Sequence, residues 1–188
     1  MSDWPIRKHT DPQALKALAH PLRLKILEEL ALRGPMTATA VAERIGDSAA
    51  NCSWHLRQLA KYGYVDDAEG GTGRQRPWKY VPVGNRWGSP DDSPELAAAG
   101  DAVAEIMLDR EVAQLRAWNG GQRHKDPTWT EAAFILQSVA WLTPEELTEA
   151  AEAVRAVVLR HMDRFADPSL RPEGARPVRM LAWGIPTD

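Results

Sequence analysis

Four side chains between Asn51 and Gln58 have the types and the spacing of a surface that forms directed hydrogen bonds. Asn51, Trp54, His55 and Gln58 follow one another at intervals of three, one and three residues, which places them on one side of an α-helix. The carboxamides of Asn51 and Gln58 could each form paired hydrogen bonds with an adenine edge in the major groove of DNA. We therefore expect this side of the helix to face a partner, and its chemistry indicates nucleic acid.

The opposite side of the same helix is apolar. Cys52, Leu56, Leu59 and Ala60 form a second stripe, which predicts that this side packs in the core. Cys52 is the only cysteine, and its place in the stripe favours a small core residue over a reactive thiol. A single cysteine also excludes an internal disulfide and a thiolate-cluster metal site within one chain.

Capping and helix-breaking residues predict where this helix and three helices before it begin and end. Side chains that cap helix N-termini, prolines that open helices and glycines that close them alternate along residues 11–63. These signals are Asp11, Pro12, Pro21, Gly34, Thr37, Gly46, Gly63 and either Asp47 or Ser48. The helix that bears the two stripes is therefore predicted over 48–62.

A β-hairpin is predicted directly after this helix. Tyr64 and Val65 begin a strand, "DDAEGGTGRQR" is a turn with three glycines, and "PWKYVPV" is a second strand. This hairpin, the wing, covers 66–80 and carries the basic residues Arg74, Arg76 and Lys79, which could reach a DNA backbone or minor groove. Short helices joined by a tight turn and followed by a hairpin predict a winged helix-turn-helix.

The charge is distributed unevenly along the chain of 188 residues. The net charge is −3, yet residues 1–88 hold 13 Lys and Arg against 9 Asp and Glu, whereas residues 89–188 hold 10 against 17. A basic first half with a polar helix face favours an anionic partner there, although ordinary scatter of surface charge is the alternative explanation. The division also suggests two units, a DNA-binding domain over 1–88 and a dimerisation and effector-binding region over 89–188.

Three stretches of residues 11–83 resemble the ArsR-type winged-helix transcriptional regulators, which are bacterial homodimeric repressors and sensors. They are "ALAHPLRLKILEEL", "MTATAVAERIGDSAANCSWHLRQLAKYGYV" and "GGTGRQRPWKYV". The resemblance implies a homodimeric repressor that binds double-stranded DNA, with partly palindromic operators. The residues it implies as DNA contacts are Ser48, Asn51, Ser53, Trp54, His55, Gln58, Arg74 and Arg76. Arg57, Lys61 and Lys79 complete the set that we expect at the interface.

The sequence departs from the metal-sensing members of that family. Those members carry paired cysteines on the third helix, where this chain has "TATAVAERI", or acid and histidine pairs on the last helix. His161 and Asp163 are two residues apart, so on a helix they diverge by roughly 200° and do not share an ion easily. We therefore expect neither a metal site nor another cofactor.

The second half begins with a linker and a long helix. "GNRWGSPDDS" over 84–93 has linker composition, and Ser93-Pro94 starts an apolar helix to about Trp118 that is the natural dimerisation element. Thr143 and Glu146 form a capping box, which opens an amphipathic helix with an apolar stripe that continues to Phe165. Periodicity alone does not assign the short apolar runs 132–142 and 178–185, for which strands are favoured.

Partners of the second half follow less directly from the sequence. Five of the eight tryptophans lie beyond the wing. They could line a pocket for a small-molecule effector, or they could fill a core or a dimer interface. No apolar run is long enough to cross a membrane and the first residues lack a signal-peptide core, so a cytoplasmic protein without membrane contact is expected.

The predicted fold class is α+β, mainly α, with an N-terminal winged helix-turn-helix, a dimerisation helix and a small C-terminal helix and strand region. An enzyme is not expected and no catalytic residue is predicted, because nucleophile elbows, zinc-protease pairs and dinucleotide fingerprints are absent and "GGTGR" lacks the ending of a phosphate loop. The alternative to a transcriptional regulator is a winged-helix module that binds another protein without specific DNA binding.

Overall fold

The computed structural model of the chain describes residues 5–70, 76–121 and 126–187. It is mainly helical with a few short strands, which confirms the predicted fold class. The elements in chain order are β1 Ile6–Lys8, α1 Pro12–Leu18, α2 Pro21–Arg33, α3 Ala38–Ile45, α4 Ala49–Lys61, β2 Val65–Asp67, β3 Trp78–Tyr80, β4 Gly84–Arg86, α5 Pro94–Gly120, α6 Pro127–Ala132, α7 Pro144–Val158, α8 Asp163–Ala166 and a 3₁₀ turn Pro168–Leu170. No helix in the described ranges has the length and apolar content needed to span a membrane.

The first four helices begin and end where the capping residues predicted. The side chains of Asp11, Thr37 and Ser48 accept hydrogen bonds of 2.8, 3.2 and 3.1 Å from backbone amides two or three residues ahead. Each bond satisfies an amide that the first turn of a helix leaves unpaired. Gly34 and Gly46 follow α2 and α3 with φ angles of 86° and 72°, a backbone conformation that favours glycine.

One core unites the N-terminal helices with the start of α5. Fully buried side chains come from α1, α2, α3 and α4, and the same cluster includes Leu96, Ala99 and Val103 of α5. Cys52 is completely buried within it, which confirms its prediction as a core residue. The packed unit therefore extends beyond residue 88, while the division of the chain at that position stays a prediction.

The base of the predicted wing is present. Strands β2 and β3 pair antiparallel, with Val65 opposite Tyr80 and Asp67 opposite Trp78. Met36, just before α3, adds a bridge to Trp78 and so ties the wing to the helices. The tip of the wing at 71–75, including Arg74, lies outside the described residues.

A second small sheet was not predicted. Strand β1 pairs in parallel with β4, so that Ile6 lies opposite Gly84 and Lys8 opposite Arg86. The prediction that 84–93 is a linker is therefore wrong for its first three residues. Such short strands have no hydrophobic alternation to reveal them, and their pairing joins segments that are far apart in sequence.

Strand β1 also positions Arg7 against the end of α4. The guanidinium donates hydrogen bonds of 3.0 and 2.9 Å to the carbonyls of Tyr62 and Gly63, and it lies 5.4 Å from the centre of the Tyr64 ring. Carbonyls at a helix C-terminus lack partners within the helix and favour a cation. Arg7 thus fixes the C-terminal end of α4 to the rest of the domain.

The long helix α5 confirms the helix predicted from Pro94 and extends two residues beyond Trp118. Its first half packs against α1, whereas many side chains of its second half are exposed. Gly100 permits a close approach here, because a Cβ at this position would lie 2.6 Å from Cδ1 of Trp87. The ring of Trp87 therefore packs directly on the helix backbone.

The helix after the capping box is shorter than predicted. Thr143 and Glu146 bond each other's backbone amides at 3.2 and 2.8 Å, which confirms the box. However, α7 ends at Val158, and turns at 159–162 separate it from α8. This break lets Phe165 pack edge-on against Tyr80 of β3, with ring centroids 5.7 Å apart.

The two apolar runs of the second half are not strands. Residues 133–142 and most of 176–187 have neither helix nor strand hydrogen bonding, so the prediction of strands over 132–142 and 178–185 is wrong. A strand requires a neighbouring strand for its amides and carbonyls. Within the described ranges, the hydrogen-bonded sheets contain only β1 with β4 and β2 with β3.

Candidate nucleic-acid interface

Helices α3 and α4 form a compact pair joined by the three residues 46–48. Gly46 adopts the left-handed conformation, with φ of 72° and ψ of 42°, and its amide and that of Asp47 both bond the carbonyl of Ala42 at 3.0 and 3.1 Å. This tight turn directs α4 away from α3 and exposes the N-terminal half of α4. It is the connection that a helix-turn-helix requires.

An acidic group, Asp47, lies directly before the N-cap Ser48 of α4. Both carboxylate oxygens of Asp47 accept hydrogen bonds from the side-chain amide of Asn51, at 3.0 and 3.2 Å, and one also accepts from the amide of Ser48 at 2.6 Å. The bond from Asn51, followed by that from Ser48, lowers the pKa of Asp47 below its usual value. Asn51 is thus exposed, but its amide is already bound to an anion.

Ser53 and Arg57 form a pair on the open side of α4. The guanidinium of Arg57 donates to the Ser53 hydroxyl at 2.8 Å, one helical turn away. Arg57 and Asn51 are exposed, Ser53 and Gln58 are half-buried, and Trp54 is 46% exposed despite its size. These five predicted contacts therefore retain access to solvent along one side of the helix.

The prediction that His55 faces outward is wrong. His55 is only 4% exposed and lies within 4.6 Å of the His20 ring and 4.7 Å of the Trp54 ring, between centroids. The spacing of Cys52, His55, Leu56 and Leu59 is three, one and three, which is itself the pattern of a buried helix face. The spacing of His55 therefore fits both stripes, and burial shows that it belongs to the apolar one.

His55 is held by Arg23 of α2, which lies half-buried between the helices. The Nε of Arg23 donates to Nδ1 of His55 at 3.3 Å, so neutral His55 carries its proton on Nε2. A second donor of the guanidinium bonds the carbonyl of Ala17, at the end of α1, at 2.9 Å. The same group lies 5.7 Å from the centre of the Trp54 ring. Arg23 therefore connects α1 and α2 to the middle of α4.

The environment of this cluster favours neutral histidines. Burial, followed by the charges of His20 and Arg23, lowers the pKa of His55, and burial together with Arg23 lowers that of His20. Nδ1 of His20 also accepts the amide of Leu22 at 3.2 Å and caps α2. Protonation of either ring would place a second positive charge beside the guanidinium of Arg23.

The cations of the wing have acidic neighbours on the opposing strand. Arg76 lies 3.5 Å from a carboxylate oxygen of Asp67, and Lys79 lies 3.9 Å from one of Asp66. All four side chains are exposed, so each pair is worth at most about 1 kcal/mol and can open readily. Lys61 is also exposed at the end of α4, 5.2 Å from the centre of the Tyr62 ring.

Across the described ranges, no three His, Cys, Asp or Glu side chains come together in a way that could hold a metal ion. The buried Cys52 is a free thiol, and burial raises its pKa. His161 is exposed in the turn between α7 and α8.

Comparison with known proteins identifies the same region that the geometry singles out. Residues 18–66 match the model of a family described as a helix-turn-helix domain, which covers α2, α3, α4 and the start of β2. No curated protein matches the chain. The chain therefore has an N-terminal helix-turn-helix domain of the type found in DNA-binding transcription regulators.

Proposed function

We propose that this protein is a sequence-specific transcriptional regulator that reads the major groove of double-stranded DNA with α4. The observation that supports this most strongly is how α4 is mounted. Arg23 holds the helix from inside through His55, Arg7 holds its C-terminal end, and Asn51 and Arg57 remain on the open side. A rigidly held helix with hydrogen-bonding groups on its free face can select base edges.

The surrounding surface supplies the contacts that fix α4 in register. The wing follows the phosphate backbone or the minor groove, and the hydroxyl of Ser48 still has a proton to donate while its oxygen caps α4. The proposed contacts are Ser48, Asn51, Ser53, Trp54, Arg57, Gln58, Lys61, Arg74, Arg76 and Lys79. His55 acts as a positioning residue in place of the direct contact predicted from the sequence.

The finer proposal is a homodimeric repressor of the ArsR type. Its support is the resemblance over residues 11–83 together with the order of elements, in which four helices, a hairpin and a long helix follow one another. Two copies related by a two-fold axis would read two half-sites of an inverted repeat, about one helical turn apart. Residues 89–188 then provide dimerisation and a region where an effector could bind.

One observation favours a second candidate, a winged helix that binds another protein. Asp66 and Asp67 lie beside the cations of the wing and Asp47 binds Asn51 at the start of α4, so the positive potential of this face is smaller than its Lys and Arg content suggests. Specific DNA binding needs these cations to leave their acidic partners for phosphates. A protein partner with both charges would fit the surface as it is.

The deciding experiment is selection of bound fragments from the source genome, followed by competition between the selected fragment and scrambled DNA at two salt concentrations. We expect an inverted repeat that is preferred by at least about a thousandfold, with binding that weakens steeply as salt rises. Absence of any binding would reject the regulator and favour the protein partner.

Variants separate base contacts from phosphate contacts in this assay. Asn51→Ala or Gln58→Ala should cost about 1–3 kcal/mol on the selected site and less on random DNA. Arg76→Ala should weaken both and reduce the salt slope by about one. Arg160→Ala, which removes an exposed cation after α7, is the matched control and should change neither. Equal losses on both DNAs for Asn51→Ala would reject base recognition.

A further inference from the structure

Two segments of the second half have large apolar side chains that the rest of the described chain leaves exposed. We call residues 133–142 the first arm and residues 176–187 the second arm. Six large apolar side chains of the first arm and five of the second are exposed. In the first arm Leu136 is 87% exposed and Trp141 is completely exposed, and in the second arm Trp183 is 68% exposed.

The area of this surface is that of a protein interface. If each of these side chains exposes on the order of 100 Å², the two arms together offer roughly 1,000 Å² of apolar surface per chain. The largest apolar patch of a typical monomer is about 300–600 Å². Each partner of a standard interface contributes about 800 Å², and obligate homodimers use more. The apolar area that the arms expose is therefore as large as one side of a stable dimer interface.

The backbone of the arms is open as well. Among the described residues, no backbone-to-backbone hydrogen bond involves 134–142 or 176–187. Extended segments with open amides and carbonyls can pair with a strand from another chain. Pairing of this kind would give the arms the strand structure that their sequence predicted and that a single chain lacks.

Ion pairs hold the second arm in place while its apolar side chains remain outside. The guanidinium of Arg179 bonds Glu111 of α5 at 2.7 and 3.0 Å and also contacts Glu28 of α2. Arg110 of α5 pairs with the same Glu28 at 2.6 Å. At the start of this arm, Arg176 pairs with Asp126 at 3.3 Å. The arm is thus anchored by charge, and its apolar residues are free for another surface.

The neighbouring helix continues this apolar surface. Leu108 and Leu115 are exposed on α5, on either side of Glu111, to which the second arm is anchored. The first arm has no charged residue, and both arginines of the second arm are paired within the chain. Two identical surfaces of this kind can meet without bringing like charges together, as a two-fold contact requires.

We propose that two copies of this chain dock through their arms, so that the arms of each copy, while anchored to their own chain, cover the arms and the second half of α5 of the other. The occupant of the apolar surface is therefore a second copy. The inference deepens the homodimer of the proposed function by assigning its interface, but it rests on the exposed arms and does not require DNA binding.

The test is the mass of the full chain in solution, measured by sedimentation equilibrium over a range of concentrations. We expect a dimer, and we expect the double variant Leu136→Ser with Trp141→Ser to raise the dimer dissociation constant at least about a hundredfold. These side chains are exposed in the single chain, so the variant should keep its circular dichroism. Leu170→Ser, an exposed leucine outside the arms, is the matched control and should stay dimeric.

Hydrogen exchange provides a second measurement on the unmodified protein. Amides of the first arm should exchange slowly above the dissociation constant and rapidly below it, because only the dimer supplies their partners. A monomeric protein, a dimer indifferent to the double variant, or rapid exchange in the dimer would each overturn the proposal. A dimer without DNA preference would instead reject only the proposed function, and a monomer that selects DNA would reject only the docking of the arms.

Discussion

Replacing Arg23 tests whether the inner side of α4 is fixed by a single guanidinium. In Arg23→Ala, the carbonyl of Ala17 loses a charged donor at 2.9 Å, His55 loses its partner at 3.3 Å, and Trp54 loses the cation 5.7 Å from its ring centre. We expect both a lower free energy of unfolding and weaker DNA binding, because α4 would keep its helix but lose its fixed orientation.

The magnitude follows from these three contacts. A hydrogen bond from a charged donor contributes about 1.5–3 kcal/mol, and the half-buried position of Arg23 places the bond to Ala17 at the lower end. The long bond to His55 and the cation–π contact with Trp54 add about 1 kcal/mol together. Arg23→Ala should therefore lower the free energy of unfolding by about 2–3 kcal/mol.

Urea unfolding at pH 7.5 is the assay, with the slope m compared to show that the unfolded state is unchanged. Arg33→Ala is the matched control on the same helix, because Arg33 forms an exposed ion pair with Glu29 at 3.1 Å and should cost no more than about 1 kcal/mol. Arg23→Lys keeps the charge without the planar fork and should recover only part of the loss. Equal destabilisation by Arg23→Ala and Arg33→Ala would refute the reasoning.

Three further predictions concern the same domain. The pKa values of His20 and His55 lie below the ordinary 6.5, so the unfolded chain binds protons more readily than the folded chain. The free energy of unfolding should therefore fall as pH drops below 6.5, and it should fall less steeply in His55→Gln. A rise would contradict the assigned neutral state. Asp47→Asn keeps an acceptor for Asn51 but removes a negative charge from the exposed N-terminal end of α4. If this end contacts DNA as proposed, DNA affinity at low salt should rise by about three- to tenfold in a binding titration, and a loss would show that Asp47 aids binding. Tyr64→Phe removes a 2.8 Å hydrogen bond from the phenol to the carbonyl of Ala14 and should lower the free energy of unfolding, measured in urea, by about 0.5–1.5 kcal/mol. An unchanged free energy would mean that this bond contributes nothing.

The sequence was sufficient where local chemistry decides the structure. Helix boundaries at Asp11, Thr37, Ser48 and Gly46 depend on side chains and φ angles within a few residues, and each was predictable from residue type. The antiparallel wing was predictable for the same reason, since its two strands adjoin one turn.

Long-range partners explain what the sequence did not reveal. Strand β1 pairs with β4 across more than 70 residues, and nothing in either segment specifies the other. Arg23 is polar and lies near the start of an amphipathic helix, so its role becomes visible only when α1 and α4 are both placed around it. His55 illustrates a different error, because its spacing fits both stripes of α4 and its residue type favoured the polar one.

The exposed face of α4 was predicted more accurately in its outline than in its electrostatics. The exposed row that includes Asn51, Trp54 and Arg57 lies where the helical spacing placed it. The acidic partners Asp47 and Asp67 were not assigned, because an ion pair or a side-chain bond depends on distances that a sequence pattern does not contain.

The edge-on contact between Phe165 and Tyr80 links the position of α8 in the second half to strand β3 of the wing. If association of two copies shifts α8, it also changes the surroundings of β3, and the two equilibria then share a coupling free energy. Such coupling is reciprocal: a dimer that binds DNA more tightly by some factor must itself be tightened by DNA by the same factor. In Phe165→Ala, DNA and dimerisation would lose influence on each other to the same extent, even if each affinity alone remained.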